Sequence, residues 1–170
     1  RFLFFKKSGG KIKGAFVRNR CIGIIFAGKY YLFPKIKSFN VYPPDNDSIF
    51  LGCIYVKSDY KGMGVGKRLL FALEKDLVRE KFNSIETIGK RLNDDIDEEE
   101  YRNSPLIPMK FLIQNGFYIK KNDELFPLLR LDLATIERVY MKEKLLSKDI
   151  CLEKGFGSSL VVRKRLIGVK

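Results

Sequence analysis

The stretch Lys61-Gly62-Met63-Gly64-Val65-Gly66-Lys67, followed by Arg68, sets three glycines at alternate positions among three cations. Glycine has no Cβ, so successive backbone N–H groups can turn toward a single anion. A helix opening at the same place adds unpaired donors and the positive end of its dipole. That is the chemistry of a phosphate cradle. A strand-to-helix turn without a ligand needs one or two glycines rather than three in alternation. The spacing then narrows the phosphate ligand. A nucleoside triphosphate loop needs four residues between its glycines and a hydroxyl after its lysine. Here three residues separate Gly62 from Gly66, and Arg68 stands in the hydroxyl's place. The dinucleotide fingerprint G-x-G-x-x-G fails as well, because the run is G-x-G-x-G and no ribose-binding acid closes a clean βαβ repeat.

The elements around this turn fit the cradle. The apolar run Ile49 to Val56 predicts a strand leading into it, and Leu69, Leu70, Leu73, Leu77 and Val78 recur at helical spacing after it. A second strand is expected over Phe82 to Ile88. Upstream, Ala15-Phe16-Val17 and Cys21 to Phe26 read as a hairpin turning at Arg18-Asn19-Arg20, and Tyr42 to Asp47 is turn chemistry. Downstream, Pro105 and Pro108 predict the start of a helix that Asn115-Gly116 stops, and Ile119 to Lys121 with Leu128 to Leu133 form a closing pair of strands. Thr135 is the expected N-cap of a helix from Ile136 to Leu146, and a break at Lys154 to Gly157 precedes a short strand, Leu160 to Val162.

Lys61-Gly62-Met63-Gly64-Val65-Gly66 matches Arg/Gln-x-x-Gly-x-Gly/Ala with lysine in the first place, and the whole stretch from Leu51 to Leu70 resembles the acetyl-CoA-binding motif of the GNAT N-acetyltransferase superfamily. Met109 to Phe117, ending in Gly116-Phe117, is similar to the family's later helix. The resemblance covers about Ile12 to Leu133. It implies a single-domain α/β acyl-CoA N-acyltransferase (GNAT) fold: a mixed, mostly antiparallel sheet flanked by helices, with splayed central strands. Residues 1–133 are then the acetyltransferase domain, expected to lack its start because the chain opens at Arg1, and 134–170 a helical, basic C-terminal appendage of the same domain. The function implied is transfer of an acetyl group from acetyl-CoA to an amine by direct attack. Positioning carries most of that work, since a neutral amine is a competent nucleophile once held against the thioester. In such a fold the backbone of Ile54, Tyr55 and Val56 pairs with the pantetheine arm and polarises the thioester. The resemblance implies cofactor binding by Lys61, Gly62, Met63, Gly64, Val65, Gly66, Lys67 and Arg68, of which Met63 to Lys67 would hold the pyrophosphate through backbone N–H groups and Lys61, Lys67 and Arg68 would add charge. Many family members carry a tyrosine four residues before the Gly-Phe glycine to protonate the thiolate; here Leu112 occupies that place. Tyr55, Tyr101 or Tyr118 is then the candidate acid, each competing with an ordinary packing role, and water is the alternative. Glu86 is the candidate base if it faces the groove, although alternation with Ile85 and Ile88 serves a structural carboxylate equally well.

Composition bounds the reading. One domain with a sizeable core suits 170 residues. No histidine is present, which removes the usual near-neutral base and every histidine-dependent triad, and with Cys21, Cys53 and Cys151 widely spaced in apolar runs neither a metal site nor a disulfide framework is expected. The cysteines read as buried free thiols. No apolar run is long enough to cross a bilayer, and the expectation is a cytoplasmic protein without a membrane partner. A net charge of +13, with Arg163-Lys164-Arg165 near the end, attracts polyanions without choosing among them. The acidic run Asp94, Asp95, Asp97, Glu98, Glu99 and Glu100 would draw a cationic amine to an acceptor entrance, or serve only as a solvated loop. The acceptor is a small-molecule or protein amine. The rival functions are a catalytically weak acyl-CoA-binding module, motivated by Leu112, and a basic nucleic-acid-associated protein.

Overall fold

The computed structural model describes residues 2–91, 105–134, 152–155 and 159–162. A short helix, α1 (Phe2–Lys7), leads into a hairpin of β1 (Lys11–Val17) and β2 (Arg20–Gly28). The hairpin turns on Arg18 and Asn19, both at positive φ, as a two-residue turn matched to strand twist requires, so Arg20 already belongs to β2. Two 3-10 turns, Tyr30–Leu32 and Pro34–Ser38, follow before β3 (Ile49–Val56). The glycine turn then opens α2 (Val65–Arg79), and β4 (Ser84–Lys90), β5 (Ile107–Pro108), α3 (Met109–Gln114), β6 (Tyr118–Lys121) and β7 (Leu128–Asp132) complete the body. The sheet order is β6-β7-β4-β3-β2-β1, continued past β1 by β9 (Ser159–Val162) and β8 (Leu152–Gly155). Among the described strands only β3–β4, β1–β9 and β4–β5 run parallel. The architecture is the mixed, mostly antiparallel one expected.

Several expected boundaries move. β4 starts two residues later than Phe82 and runs through Gly89 to Lys90. Pro105 does not start a helix: Pro108 sits at φ −56, ψ 128, extended, and with Ile107 pairs with the end of β4, so α3 begins only at Met109. Lys154 and Gly155 belong to β8 rather than to a break. Thr135, the helix from 136 to 146, Tyr101, the acidic run and Cys151 lie outside the described residues. Of the other cysteines, Cys21 is exposed beside the hairpin turn rather than buried, and Cys53 is half-buried.

Each face of the sheet has its own core. Leu69, Leu70, Leu73 and Leu77 of α2 bury their stripe against Ile25, Ile49, Leu51 and Ile85, with Leu112 of α3 and Leu129 of β7 in the same cluster. The opposite face is covered by the segment between β2 and β3, where Ile36 and Val41 meet Phe50, Ile88 and Leu128 among the rings of Phe33, Phe39 and Phe126. Removing this apolar area from water at about 25 cal/mol per Å² is what holds both layers.

Candidate functional site

β3 is the element on which the site turns. It pairs with β2 from Phe50 to Val56, with a register shift that leaves Gly52 without a partner opposite it. A bulge of this kind shifts the side-chain alternation by one residue. Accordingly Ile49 and Leu51 face the α2 core before it and Ile54 and Val56 after it. Gly52 is required there by close approach, since a Cβ on it would lie 2.1 Å from the Phe33 ring.

On its other side β3 pairs with β4 at only two positions, Ile49↔Ile85 and Phe50↔Glu86. Beyond Phe50 the strands part. The hydroxyl of Thr87 donates to the Leu51 carbonyl at 2.7 Å, standing in for the ladder bond lost where the strands separate. β4 instead takes up β5 at Gly89↔Ile107 and Lys90↔Pro108. A cleft therefore opens between Gly52–Val56 and Thr87–Lys90, lined on the β3 side by backbone groups turned away from β2. Ile54, Tyr55 and Val56 all lie in this splayed half, and Tyr55 is 55% exposed.

From its splayed end β3 leads through the short turn Ser58–Tyr60 to the glycine turn. Gly62 and Gly64 have φ of +75 and +74, the left-handed conformation that favours glycine, and the space where their Cβ atoms would stand is empty. Gly64 is the N-cap of α2. From Gly62 to Lys67 the backbone amides make no close, well-aligned backbone hydrogen bond among the described residues, whereas the Arg68 amide bonds the Gly64 carbonyl at 3.1 Å. Gly66 differs: it is inside the helix with ordinary φ, and a Cβ there would touch the Phe111 ring at 3.4 Å. Lys61, Lys67 and Arg68 are exposed around the turn. An open concavity of free amides, a 15-residue helix aimed at it and three cations fit a diphosphate. Lys90, at the end of β4, is held below the usual lysine range by burial first and by repulsion from Lys61 second.

The candidate acids and bases fall in different places. Leu112 is fully buried between Gly89 and the α2 core and offers no proton. Tyr118 lies two strands away on β6, where its hydroxyl donates to Asp132 at 2.8 Å; that bond holds its proton more tightly than usual. Among the described tyrosines named above, only Tyr55 stands in the splayed part of the cleft.

Glu86 has no exposed side-chain surface. One of its oxygens accepts from the Asp45 amide at 2.8 Å, and the other accepts from Lys120 at 2.6 Å and Arg130 at 3.0 Å. Lys120 is the bulged residue of β6, which aims its ammonium across the sheet onto Glu86 and Asp45. Arg130 also binds Asp45 at 2.8 Å and Asp132 at 2.6 Å. Hydrogen bonding from Lys120 holds the Asp45 carboxyl below the usual range, and Arg130 does the same for Asp132. With both oxygens held by an amide and two cations, Glu86 is arranged as an anchor rather than as a free proton acceptor. Nothing local in the sequence signals these partners.

Among the described residues no cluster of Cys, Asp and Glu could hold a metal ion, and no helix is long and apolar enough to cross a membrane. The model of the acetyltransferase (GNAT) family matches residues 3–101. No curated protein matches the chain. Among solved structures, the PaiA N-acetyltransferase of Thermoplasma acidophilum in complex with coenzyme A aligns with a TM-score of 0.51 at 16% identity, covering 76% of this chain and 66% of that one. A GNAT-family acetyltransferase of Staphylococcus aureus aligns with a TM-score of 0.51 at 15% identity, covering 75% of this chain and 71% of that one. The chain thus spans just under two thirds of the Thermoplasma protein, and at these identities the likeness is one of fold.

Proposed function

The chain belongs to the acetyltransferase (GNAT) family, and from that premise we propose that it is an acetyl-CoA-dependent N-acetyltransferase acting on a small-molecule or protein amine by direct attack, without a metal. The observation that carries the reading is the parting of β3 from β4 after Phe50↔Glu86, on the strand whose chain leads into the open turn at Gly62 and Gly64.

The amides from Gly62 to Lys67 would hold the diphosphate, with Lys61, Lys67 and Arg68 supplying charge. The unpaired edge of β3 at Ile54, Tyr55 and Val56 would take the pantetheine arm and polarise the thioester carbonyl through preorganised backbone donors. Acetyl-CoA, when bound, supplies the thioester carbon that the amine attacks. Tyr55, exposed in the splayed half of β3, would give a proton to the leaving sulfur, with Tyr101 its competitor and water the alternative. Pre-binding replaces a bimolecular encounter with a held geometry, which is where most of the acceleration in such a reaction arises.

Titration calorimetry with coenzyme A, followed by thiol release from acetyl-CoA across a panel of primary amines and amino-terminal peptides, tests the reading. Saturable coenzyme A binding with amine-dependent thiol release supports it, and absence of binding overturns it. Binding without turnover on any amine would favour the second reading, an acyl-CoA-binding module, for which Leu112 in place of a proton donor is the specific observation.

A further inference from the structure

The point where β3 and β4 part is built from charge. Glu86 sits at the last paired position, opposite Phe50, and the same register row continues through Arg130 to Tyr118, spanning β3, β4, β7 and β6. Its carboxylate collects the Asp45 amide, Lys120 and Arg130. The Asp45 contact reaches β3 itself: the Asp45 carbonyl accepts from the Ser48 hydroxyl at 2.8 Å and the Ser48 amide at 3.3 Å, and Ser48 is the residue before Ile49. Glu86 thus ties the entry of β3 to β4, while Lys120 and Arg130 tie β4 to the two strands beyond it. One residue further along, Thr87 closes the Leu51 carbonyl with its hydroxyl.

We infer that Glu86 is a positioning residue of the cleft: its ion cluster pins the vertex at which β3 and β4 diverge, and so sets the aim of the unpaired backbone at Ile54 to Val56. Stability alone is a poor reason for the cluster, because buried ion pairs can often be replaced by apolar side chains of similar volume at little cost. What apolar packing cannot supply is direction. A carboxylate held by three donors from three segments fixes a strand's angle, where packing at the same place leaves it free to pivot. The inference rests on reading the cleft as the acyl-CoA site.

The test uses the full chain with coenzyme A itself as the probe. Glu86→Gln keeps the size but puts an amide where two cations converge. Leu77→Ala removes packing from the far end of α2 and serves as a destabilised control. At a temperature where both are folded, Glu86→Gln should weaken coenzyme A about tenfold, the scale of one lost charge-assisted contact, and speed amide exchange at residues 53–56 and 87–90. Leu77→Ala should leave both as in the wild type. A folded Glu86→Gln with wild-type affinity and wild-type exchange in these segments overturns the inference, as does an equal loss of affinity in Leu77→Ala. If Glu86→Gln does not fold, Lys120→Met, whose side chain is 22% exposed, takes its place, with a several-fold loss expected and an unchanged affinity fatal. Should the wild type fail to bind coenzyme A, the acyl-CoA reading falls, while the exchange rates at the two cleft edges still report whether Glu86 pins the vertex.

Discussion

In β3, the residues on either side of Gly52 are held differently. Ile49, Phe50 and Leu51 are 1%, 2% and 0% exposed, and at Ile49 and Phe50 the strand is paired with β4. From Cys53 to Val56 the strand keeps only β2, and Tyr55 is 55% exposed. One half is core and the other is edge, within eight residues. A free strand edge is normally a liability that invites other chains to pair with it. Under the proposed reading it borders the acyl-CoA cleft and leads to the phosphate cradle, and the unpaired groups would serve a ligand of extended shape. The paired half makes this affordable, because it carries the burial that the open half forgoes.

The sharpest way to break this comparison is at the cradle. Gly64→Val places a β-branched residue at φ +74, where even an ordinary L residue costs about 1–2 kcal/mol, and puts a side chain in the space a diphosphate would fill. Coenzyme A affinity, measured by calorimetry, should fall about 100-fold or more. Gly66→Ala is the counterpart: its φ is helical and its Cβ would make an ordinary contact with Phe111, so affinity should stay within a few-fold. Equal effects from the two would mean that the conformation of the turn is not what binds.

The open half of β3 holds the next effect. If Tyr55 donates the proton to the leaving sulfur, Tyr55→Phe lowers kcat about 10²-fold with little change in KM, while Tyr118→Phe, already bonded to Asp132, stays near the wild type. A drop only in Tyr118→Phe would move the chemistry out of the splayed half and contradict the proposed geometry.

At the boundary itself, Gly52→Ala should destabilise the fold by about 1–3 kcal/mol, as overpacking does, because its Cβ would meet the Phe33 ring at 2.1 Å. That ring is hemmed by Phe5 and Phe50, with centroids at 5.7 and 5.3 Å, and has little room to yield. A melting temperature equal to the wild type would show that the bulge is adaptable and does not fix the division between the halves.

How legible these parts were in the sequence follows from how local their signals are. Ile49–Val56 was readable as a strand to its last residue, and the glycine turn and leucine stripe of α2 followed from spacing alone, because each is decided within a few residues. The resemblance to the GNAT superfamily rested on the same stretch and, more weakly, on Met109 to Phe117. The two 3-10 turns covering the second core have no period to read. Glu86 is the clearest case of the rest: alternation left it undecided between groove and structure, and its partners Asp45, Lys120 and Arg130 lie 41, 34 and 44 residues away. The bulge that aims Lys120 exists only once β6 pairs with β7. The start of α3 failed for a similar reason, since pairing of Ile107–Pro108 with β4 overrides the helix-starting preference of proline.

The smallest effect lies at the mouth of the cleft, where Lys90 of the buried strand faces the charge of Lys61 on the open turn. Burial first, and repulsion from Lys61 second, lower the Lys90 pKa from its ordinary 10.5. A diphosphate in the cradle would offset the second cause, so Lys90 should have a higher pKa in the complex than in the free protein. The complex then holds more protons than its separated parts wherever the pH lies between those two values. By linkage, coenzyme A binding takes up a fraction of a proton there, and affinity falls as the pH rises through that window. Below it Lys90 is charged in both states and the effect vanishes. Calorimetric titrations in pairs of buffers with different ionisation heats would read the uptake directly, and Lys90→Met should abolish it. Proton release in the same window, or an uptake unchanged in Lys90→Met, would show that the ligand's charge does not sit beside Lys61, and the cradle would then have to be placed elsewhere along the cleft.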